Sequence, residues 1–301
     1  MMVSIIIVNY NTYHLTKKCI ESVYAKTKNC LFEVILVDNA STECDPYIFK
    51  KDFPEIALIV NTTNKGFAGG NNTGIEQAKG EYMLLLNSDT ELVNDAVSIA
   101  LAAMLQNSDI GVLTGKLIYP DGRPQGVAGS FPSLKNELME LFRFSKFESL
   151  KKKAIRLKGD LWDYNTPTKT DWVWGTFFMF NKKLLEVFPD QKLHEDFFMY
   201  FEDVLWCYHV KKHTNLSVCY LPEPVIIHHL SGSSKNNDPV AVYRTKVLPH
   251  KFEFLKKNKG AFYTYVYFLT KALHEITLRK KDKWKDAQFL FQFIKKQLLH
   301  N

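Results

Sequence analysis

The sequence predicts an α/β fold: a mostly parallel sheet with helices on both faces. Three observations carry that expectation. Residues 3–8, 32–37 and 82–86 are runs of strand length, apolar apart from Ser4 and Glu33, as strands buried on both faces require. Between the first two, Leu15, Cys19, Ile20, Val23 and Tyr24 recur at helical spacing. Strand, helix, strand is a βαβ unit with a right-handed crossover. Finally, each run stops abruptly at small polar residues, namely Asn9-Tyr10-Asn11-Thr12, Asp38-Asn39-Ala40-Ser41 and Asn87-Ser88-Asp89-Thr90. Ligand-binding groups in open α/β sheets gather just beyond such carboxyl ends.

The run ending in Asp89 is the pivot. Asn87 and Asp89 alternate along the chain, so both side chains can leave the strand in one direction. A carboxylate there suits a hard divalent cation, and such a cation suits phosphate oxygens. Ser88, Asp89 and Thr90 are equally good helix N-caps, so cap and metal site both stand at this point. Asp38, at the second strand's exit, has the same two readings: a hydrogen-bond acceptor for a nucleoside, or a cap.

Residues 58–60 read as a third strand. The glycine-rich stretch Asn64 to Gly74 after it lacks the G-x-G-x-x-G fingerprint and follows the third strand rather than the first, which argues against a Rossmann dehydrogenase. Its glycines suit either a close backbone approach to a phosphate or sugar, or a tight loop and helix start without ligand. Residues 94–107 are patterned as a helix and 112–119 as a strand, and Pro120-Asp121-Gly122 turns the chain into a hairpin. Residues 132–158 are amphipathic, basic and irregular, and read as a flexible excursion containing helix, placed to serve as a lid. Strand returns over 171–180, where Gly175 interrupts a run of aromatics and marks a bulge or a close ligand approach.

In residues 194–203 acids lie among aromatics, and Asp203 opens a helix. The helix dipole alone accommodates an acid there, while a desolvated cleft would make Glu202-Asp203 a source of a general base. Short strands at 218–220 and 225–227 lead to His228-His229, either satisfied hydrogen-bonders or, for His229, an imidazole ligand beside Asp89 for an ion such as manganese.

Bulk properties narrow the class. The chain has 301 residues, 46% hydrophobic and 24% charged, an ordinary globular composition. No apolar run approaches the ~20 residues of a membrane span, and residues 4–8 are too short for a signal-peptide core, so a cytoplasmic location is expected. Five scattered cysteines without a C-x-x-C pair argue against a disulfide framework or a zinc site. The net charge of +7 is concentrated after Arg244 and suits anionic lipid or phosphate-bearing substrates. With no zinc-finger spacing and no RNP-like motif, nucleic acid is not expected as a partner. The tail from Val240 is three helical stretches rich in Phe, Tyr and Lys. It fits helices lying on an anionic membrane surface, or a helical cap with a solvated basic face.

Taken in order, these motifs resemble inverting glycosyltransferases of family 2, and among them the rhamnosyltransferase-like members of bacterial surface-polysaccharide pathways. The carrying stretches are 3–11, 37–41, Asn64 to Gly74, Leu86-Asn87-Ser88-Asp89, 198–203 and His229-Leu230-Ser231-Gly232-Ser233. The resemblance implies a GT-A fold over residues 1–235, with a basic, aromatic-rich helical region over 236–301. It implies that Asn9, Tyr10, Asn11 and Asp38 line the nucleotide pocket. Asn64, Gly66, Gly70 and Asn72 would face the nucleotide and its sugar, with Asn87 and Ser88 beside them. Asp89 would bind Mn2+ or Mg2+ in a D-x-D motif that here reads Asn-Ser-Asp, with His229 as second contact and His228 as the alternative register. Asp203, next to Glu202, would be the catalytic base, with Arg244 or Lys246 aiding the leaving diphosphate. The expected donor is dTDP-rhamnose or a UDP-hexose, and the expected acceptor a glycan or lipid-linked glycan at the inner face of the membrane.

Two other classes compete. A non-catalytic nucleotide-sugar-binding or scaffold subunit is opposed by intact Asp89, Asp203 and His229. A nucleotidyltransferase needs a basic glycine-rich loop after the first strand, where this chain has Asn9-Tyr10-Asn11-Thr12.

Overall fold

The computed structural model describes residues 1–159, 162–230, 238–278 and 280–299. They form two compact units, Met1–Ser130 with Lys158–Pro239, and Phe131–Leu157 with Val240–Asn301. The sequence places one boundary near residue 235. The structure instead draws the second unit from two separate stretches, because residues 131–157 find their packing partners in the tail.

In chain order the elements are β1 (Met2–Asn9), α1 (Tyr13–Lys26), β2 (Leu31–Asp38), α2 (Tyr47–Asp52), β3 (Ala57–Val60), α3 (Gly66–Gln77) and β4 (Tyr82–Asn87). Then come β5 (Thr90–Leu92), α4 (Ala96–Gln106), β6 (Ile110–Ile118), β7 (Ala128–Gly129), α5 (Leu134–Leu141), α6 (Leu150–Leu157), β8 (Thr168–Thr170), β9 (Trp172–Val173) and β10 (Phe177–Asn181). The chain closes with α7 (Glu202–His213), β11 (Ser217–His228), α8 (Pro239–Val242), α9 (Leu248–Lys259), α10 (Ala261–Thr277) and α11 (Lys281–Leu299).

The first unit is a mixed sheet in the order β3-β2-β1-β4-β10-β6-β11-β5. β1 pairs in parallel with both β2 and β4, and β10 runs antiparallel between β4 and β6. The chain leaves β1 toward β2 and β3, then returns to β4 on the other side. The carboxyl ends of β1 and β4 therefore flank the point where strand order reverses, the place such sheets keep for ligands. Ile5, Ile6 and Ile7 of β1 and Met83, Leu84 and Leu85 of β4 are fully buried, as continuous apolar strands should be.

Three local expectations change. Ser88, Asp89 and Thr90 cap no helix: β5 begins at Thr90, pairs with β11, and α4 starts only at Ala96. The glycine-rich stretch is not a loop but α3 itself. Its glycines let the helix lie against β1, since a Cβ on Gly70 would meet Val8 Cγ1 at 2.8 Å and one on Gly74 would meet Ile6 Cγ2 at 2.5 Å. The two short strands before His228 are one strand, β11, whose register against β6 shifts between Tyr220 and Val225. The Gly74 contact sets a stability prediction. Gly74→Ala is expected to cost ~1–3 kcal/mol by overpacking, despite its better helix propensity, and a thermal melt of the variant checks it.

In the second unit α9, α10 and α11 enclose an aromatic core. The ring of Phe252 lies 5.5 Å from that of Phe268 and 5.6 Å from that of Phe293. α5 joins them through hydroxyls: Tyr263 Oη accepts from the Leu134 amide at 2.7 Å, and Tyr267 Oη donates to Glu137 Oε1 at 2.9 Å. The segment expected to be a flexible excursion is thus two helices with a short 3-10 turn, Phe144–Phe147, between them.

Candidate active site

A continuous row of contacts runs along the carboxyl ends of β2, β1 and β4 and the amino end of the antiparallel β10. Asn9 Nδ2 donates to Asp38 Oδ1 at 2.8 Å, and Thr12 Oγ1 donates to Asn9 Oδ1 at 3.0 Å. Thr12 Oγ1 also lies 3.1 Å from Ser88 Oγ. On the far side of Ser88, the Asn87 amide donates to Thr176 O at 3.0 Å and Asn87 Nδ2 to Thr176 Oγ1 at 3.3 Å. The next residue, Gly175, donates its amide to Asp203 Oδ2 at 3.2 Å. Asp38, the Asn-Ser-Asp motif and Asp203, three strands apart in the sheet, are held by one polar chain.

At Asp89 the structure chooses between the histidines. β5 runs antiparallel to β11 with Thr90 opposite His228, and this register sets His228 Nε2 3.3 Å from Asp89 Oδ1, both residues buried. Successive residues of a strand face opposite ways, and His229 instead hydrogen-bonds Glu91 Oε1 at 2.7 Å. The histidine beside Asp89 is therefore His228, not the His229 that the motif suggested. Gln125 fixes its ring. Gln125 Nε2 donates to His228 O at 2.7 Å, which turns Gln125 Oε1 toward His228 Nδ1 at 2.9 Å. Nδ1 then donates to Gln125 Oε1, and Nε2 is the ring nitrogen that faces the carboxylate. A hydrogen bond on the other ring nitrogen is how proteins orient imidazole ligands. Close by, Asn87 Oδ1 is buried with no hydrogen-bond partner, an acceptor awaiting a donor or cation. The donor set fits a hard divalent ion that takes its remaining ligands from phosphate. Among the described residues no three His, Cys, Asp or Glu side chains are grouped to hold a metal without such help.

The acidic pair opens α7. Tyr200 (φ 71°) and Phe201 (φ 79°) are consecutive left-handed residues without the freedom of glycine, a local strain that turns the chain into the helix. Asp203 Oδ1 accepts from the Val204 amide at 2.8 Å while Oδ2 holds Gly175. Burial pushes the Asp203 carboxyl above the ordinary carboxylate range, against the pull of those two amides. Glu202 is raised too, first by burial and then by the charge of Asp203, and its Oε2 has no partner. A carboxylate poised this way is a proton acceptor near neutral pH.

The remaining expected residues separate into frame and surface. Asn9 and Asp38 are completely buried and brace the loop rather than present themselves, whereas Tyr10, Asn11 and Asn64 are half-buried at the edge. Asn64 Oδ1 accepts from Asn39 Nδ2 and from the Gly66 amide. Gly66 has φ 73°, and a Cβ there would strike Phe198 O at 2.3 Å. Gly70 packs on Val8, and Asn72 is spent tying α3 to the 193–195 loop, donating to Leu193 O at 2.8 Å and to Glu195 Oε1 at 2.7 Å. Both are buried. Gly175 serves through its amide, and a Cβ there would meet Phe67 Cε1 at 2.7 Å. Arg244 belongs to the second unit, bonded to Asp286 Oδ1 at 2.8 Å and lying over the Phe289 ring, and Lys246 stands half-buried two residues beyond. Residues 231–233 of the histidine motif lie outside the described residues. Sequence reasoning missed Thr12, Asn39, Gln125 and Thr176. Thr12 stood in a flagged stretch, but Gln125 meets His228 across 103 positions and carried no local signal.

Residues 4–188 match the profile of the family described as Glycosyl transferase family 2. The O-antigen biosynthesis protein RfbC of Myxococcus xanthus is 31% identical over 125 residues, 41% of this chain and 10% of that protein. The low-salt glycan biosynthesis hexosyltransferase Agl10 of Haloferax volcanii is 25% identical over 228 residues, 74% of this chain and 66% of that protein. The chain thus spans less than two thirds of the length of either relative. The crystal structure of GalNAc-T7 with UDP, GalNAc and Mn2+ superposes with a TM-score of 0.63 at 16% identity, over 95% of this chain and 55% of that one. The architecture is GT-A: a mixed, mostly parallel sheet flanked by helices, here followed by a helical C-terminal region.

Proposed function

Because the chain belongs to glycosyl transferase family 2, we propose that it moves a sugar, with inversion, from a nucleoside-diphosphate donor to a hydroxyl of a glycan or lipid-linked glycan. The reading is carried by the hydrogen-bonded row that ties the Asp38 end, the Asp89–His228 pair and Asp203 to one sheet edge. Tyr10, Asn11 and Asn64 bind the nucleoside over the buried Asn9–Asp38 brace. Asp89, His228 and the unpartnered Asn87 Oδ1 would hold a divalent cation, Mn2+ or Mg2+, which would supply charge neutralisation on the leaving diphosphate. Asp203 takes the proton of the acceptor hydroxyl as that oxygen attacks the anomeric carbon opposite the diphosphate. One displacement with no covalent intermediate inverts the anomeric configuration. The donor is dTDP-rhamnose or a UDP-hexose, and the acceptor sits at the anionic face of a membrane, with the second unit toward the lipid. Among the described residues no helix is long and apolar enough to cross a membrane.

The test is donor binding by thermal shift, using UDP, dTDP and their sugar conjugates with and without Mn2+, on wild type and Asp89→Ala. Binding at a hundredfold excess over Kd stabilises by about 2.7 kcal/mol. The expected shift needs both the metal and Asp89. If every nucleotide leaves the wild-type midpoint unmoved, the transferase reading fails and a scaffold subunit takes its place.

A further inference from the structure

The hairpin of α5 and α6 has its polarity reversed. Four of its charged side chains, Glu140, Glu148, Lys153 and Arg156, interlock on the inner side. Glu140 accepts from Arg156 at 2.9 Å, Lys153 at 3.2 Å and the Ser145 hydroxyl at 2.9 Å. Arg156 also reaches Glu148 at 2.7 Å and Asn136 Oδ1 at 3.3 Å. The apolar side chains stand outside: Phe142, Phe144, Phe147 and Leu150 are 62, 56, 89 and 84% exposed. The Phe142 and Phe144 rings lie 6.1 Å apart, so part of this surface is a contiguous patch. A helical hairpin stabilised only for water would show the opposite pattern. Patches of this kind mark an interaction site.

The fringe of the patch is cationic. Lys146, Lys151 and Lys152 are exposed among the aromatics, and Glu148, the sole acid of 142–157, is turned back to Arg156. A second copy of this chain docking face to face would bring like charges together. A surface of fixed negative charge over an apolar interior complements the patch in both respects.

We propose that residues 142–150 form an insertion loop for an anionic lipid surface. Phe142, Phe144, Phe147 and Leu150 enter the acyl boundary, and Lys146, Lys151 and Lys152 meet the headgroup phosphates. The ionic knot on Arg156 holds the loop in this outward-facing form. The proposal rests on the membrane-side placement of the acceptor and names the element that enters: the hairpin rather than the C-terminal helices.

The experiment is co-sedimentation of the full chain with phosphatidylcholine vesicles, with and without phosphatidylglycerol. Wild type is expected to bind the anionic vesicles preferentially. Phe147→Ser with Leu150→Ser is expected to weaken that binding ~100-fold, from the loss of two inserted apolar side chains. Lys151→Glu with Lys152→Glu is expected to weaken it ~10-fold or more and to flatten its salt dependence. Because these side chains are exposed, both variants should keep the wild-type melting midpoint and donor-induced shift. If they bind vesicles like wild type while Phe262→Ser with Trp284→Ser does not, the insertion loop is overturned and the membrane reading stands. If wild type ignores anionic vesicles, both fall, and the donor-binding result remains separate. If the Phe147/Leu150 variant instead lowers the solution mass by light scattering with vesicle binding intact, the patch is a contact between copies and the proposal fails.

Discussion

Asp203→Asn is expected to slow sugar transfer about a thousandfold or more while leaving donor affinity within roughly twofold of wild type, because it removes a proton acceptor and little else. Asn keeps the shape and an oxygen for the Gly175 or Val204 amide, so the entry to α7 should survive. The pH dependence sharpens the test. Burial raises the Asp203 carboxyl, so its ionised form is lost as pH falls through a value above the ordinary carboxylate range, and kcat/KM should fall along an acid limb displaced upward. Burial rather than the charge of Glu202 raises Asp203, so replacing Glu202 by Gln should leave the limb in place. For stability the sign is opposite. A carboxyl raised in the folded state, such as Glu202, contributes fully at low pH, and that contribution is lost as pH rises through the folded value. Turnover of Asp203→Asn within tenfold of wild type would remove Asp203 from the mechanism.

The second large effect separates the two histidines. His228→Ala is expected to weaken Mn2+-dependent donor binding on the order of 100-fold, measured by metal titration of the thermal shift with UDP or dTDP present. It loses the imidazole set 3.3 Å from Asp89 and leaves Gln125 Oε1 buried without its donor. His229→Ala removes a half-exposed pair with Glu91 and should change affinity by a factor of a few at most. The reverse ranking would restore the motif's own register, with His229 as the contact.

The histidine question also shows where the sequence is readable. The apolar runs at β1, β2 and β4 and their polar ends were legible because a doubly buried strand has no choice of face. Asp203 at the start of α7 was legible because an acid preceding a helical pattern is a local signal. Register was not local. Which of two adjacent histidines faces Asp89 depends on β11 pairing with β5, a three-residue strand hidden inside what looked like a helix cap. The glycines of α3 misled for a related reason. Glycine suits a loop, but here it permits a helix to close on Val8 and Ile6, and nothing in the helix itself announces that neighbour. The hairpin of α5 and α6 read as irregular because its amphipathic pattern is inverted, with the charges taking the inner side.

The interleaving of the two units has a consequence for the order of assembly. Leu134 and Glu137 wait for Tyr263 and Tyr267. On a ribosome adding ~5–20 residues per second, that interval is roughly 6–26 seconds. The sheet can close once β11 has emerged, so the first unit matures before the second has its partners. Through that interval α5 and α6 trail as a side branch whose Leu134 and Glu137 have no partners, the segment a chaperone or an early lipid encounter would meet first. A chain cut after Pro239 would keep every strand of the sheet and leave this branch permanently without the helices that complete it.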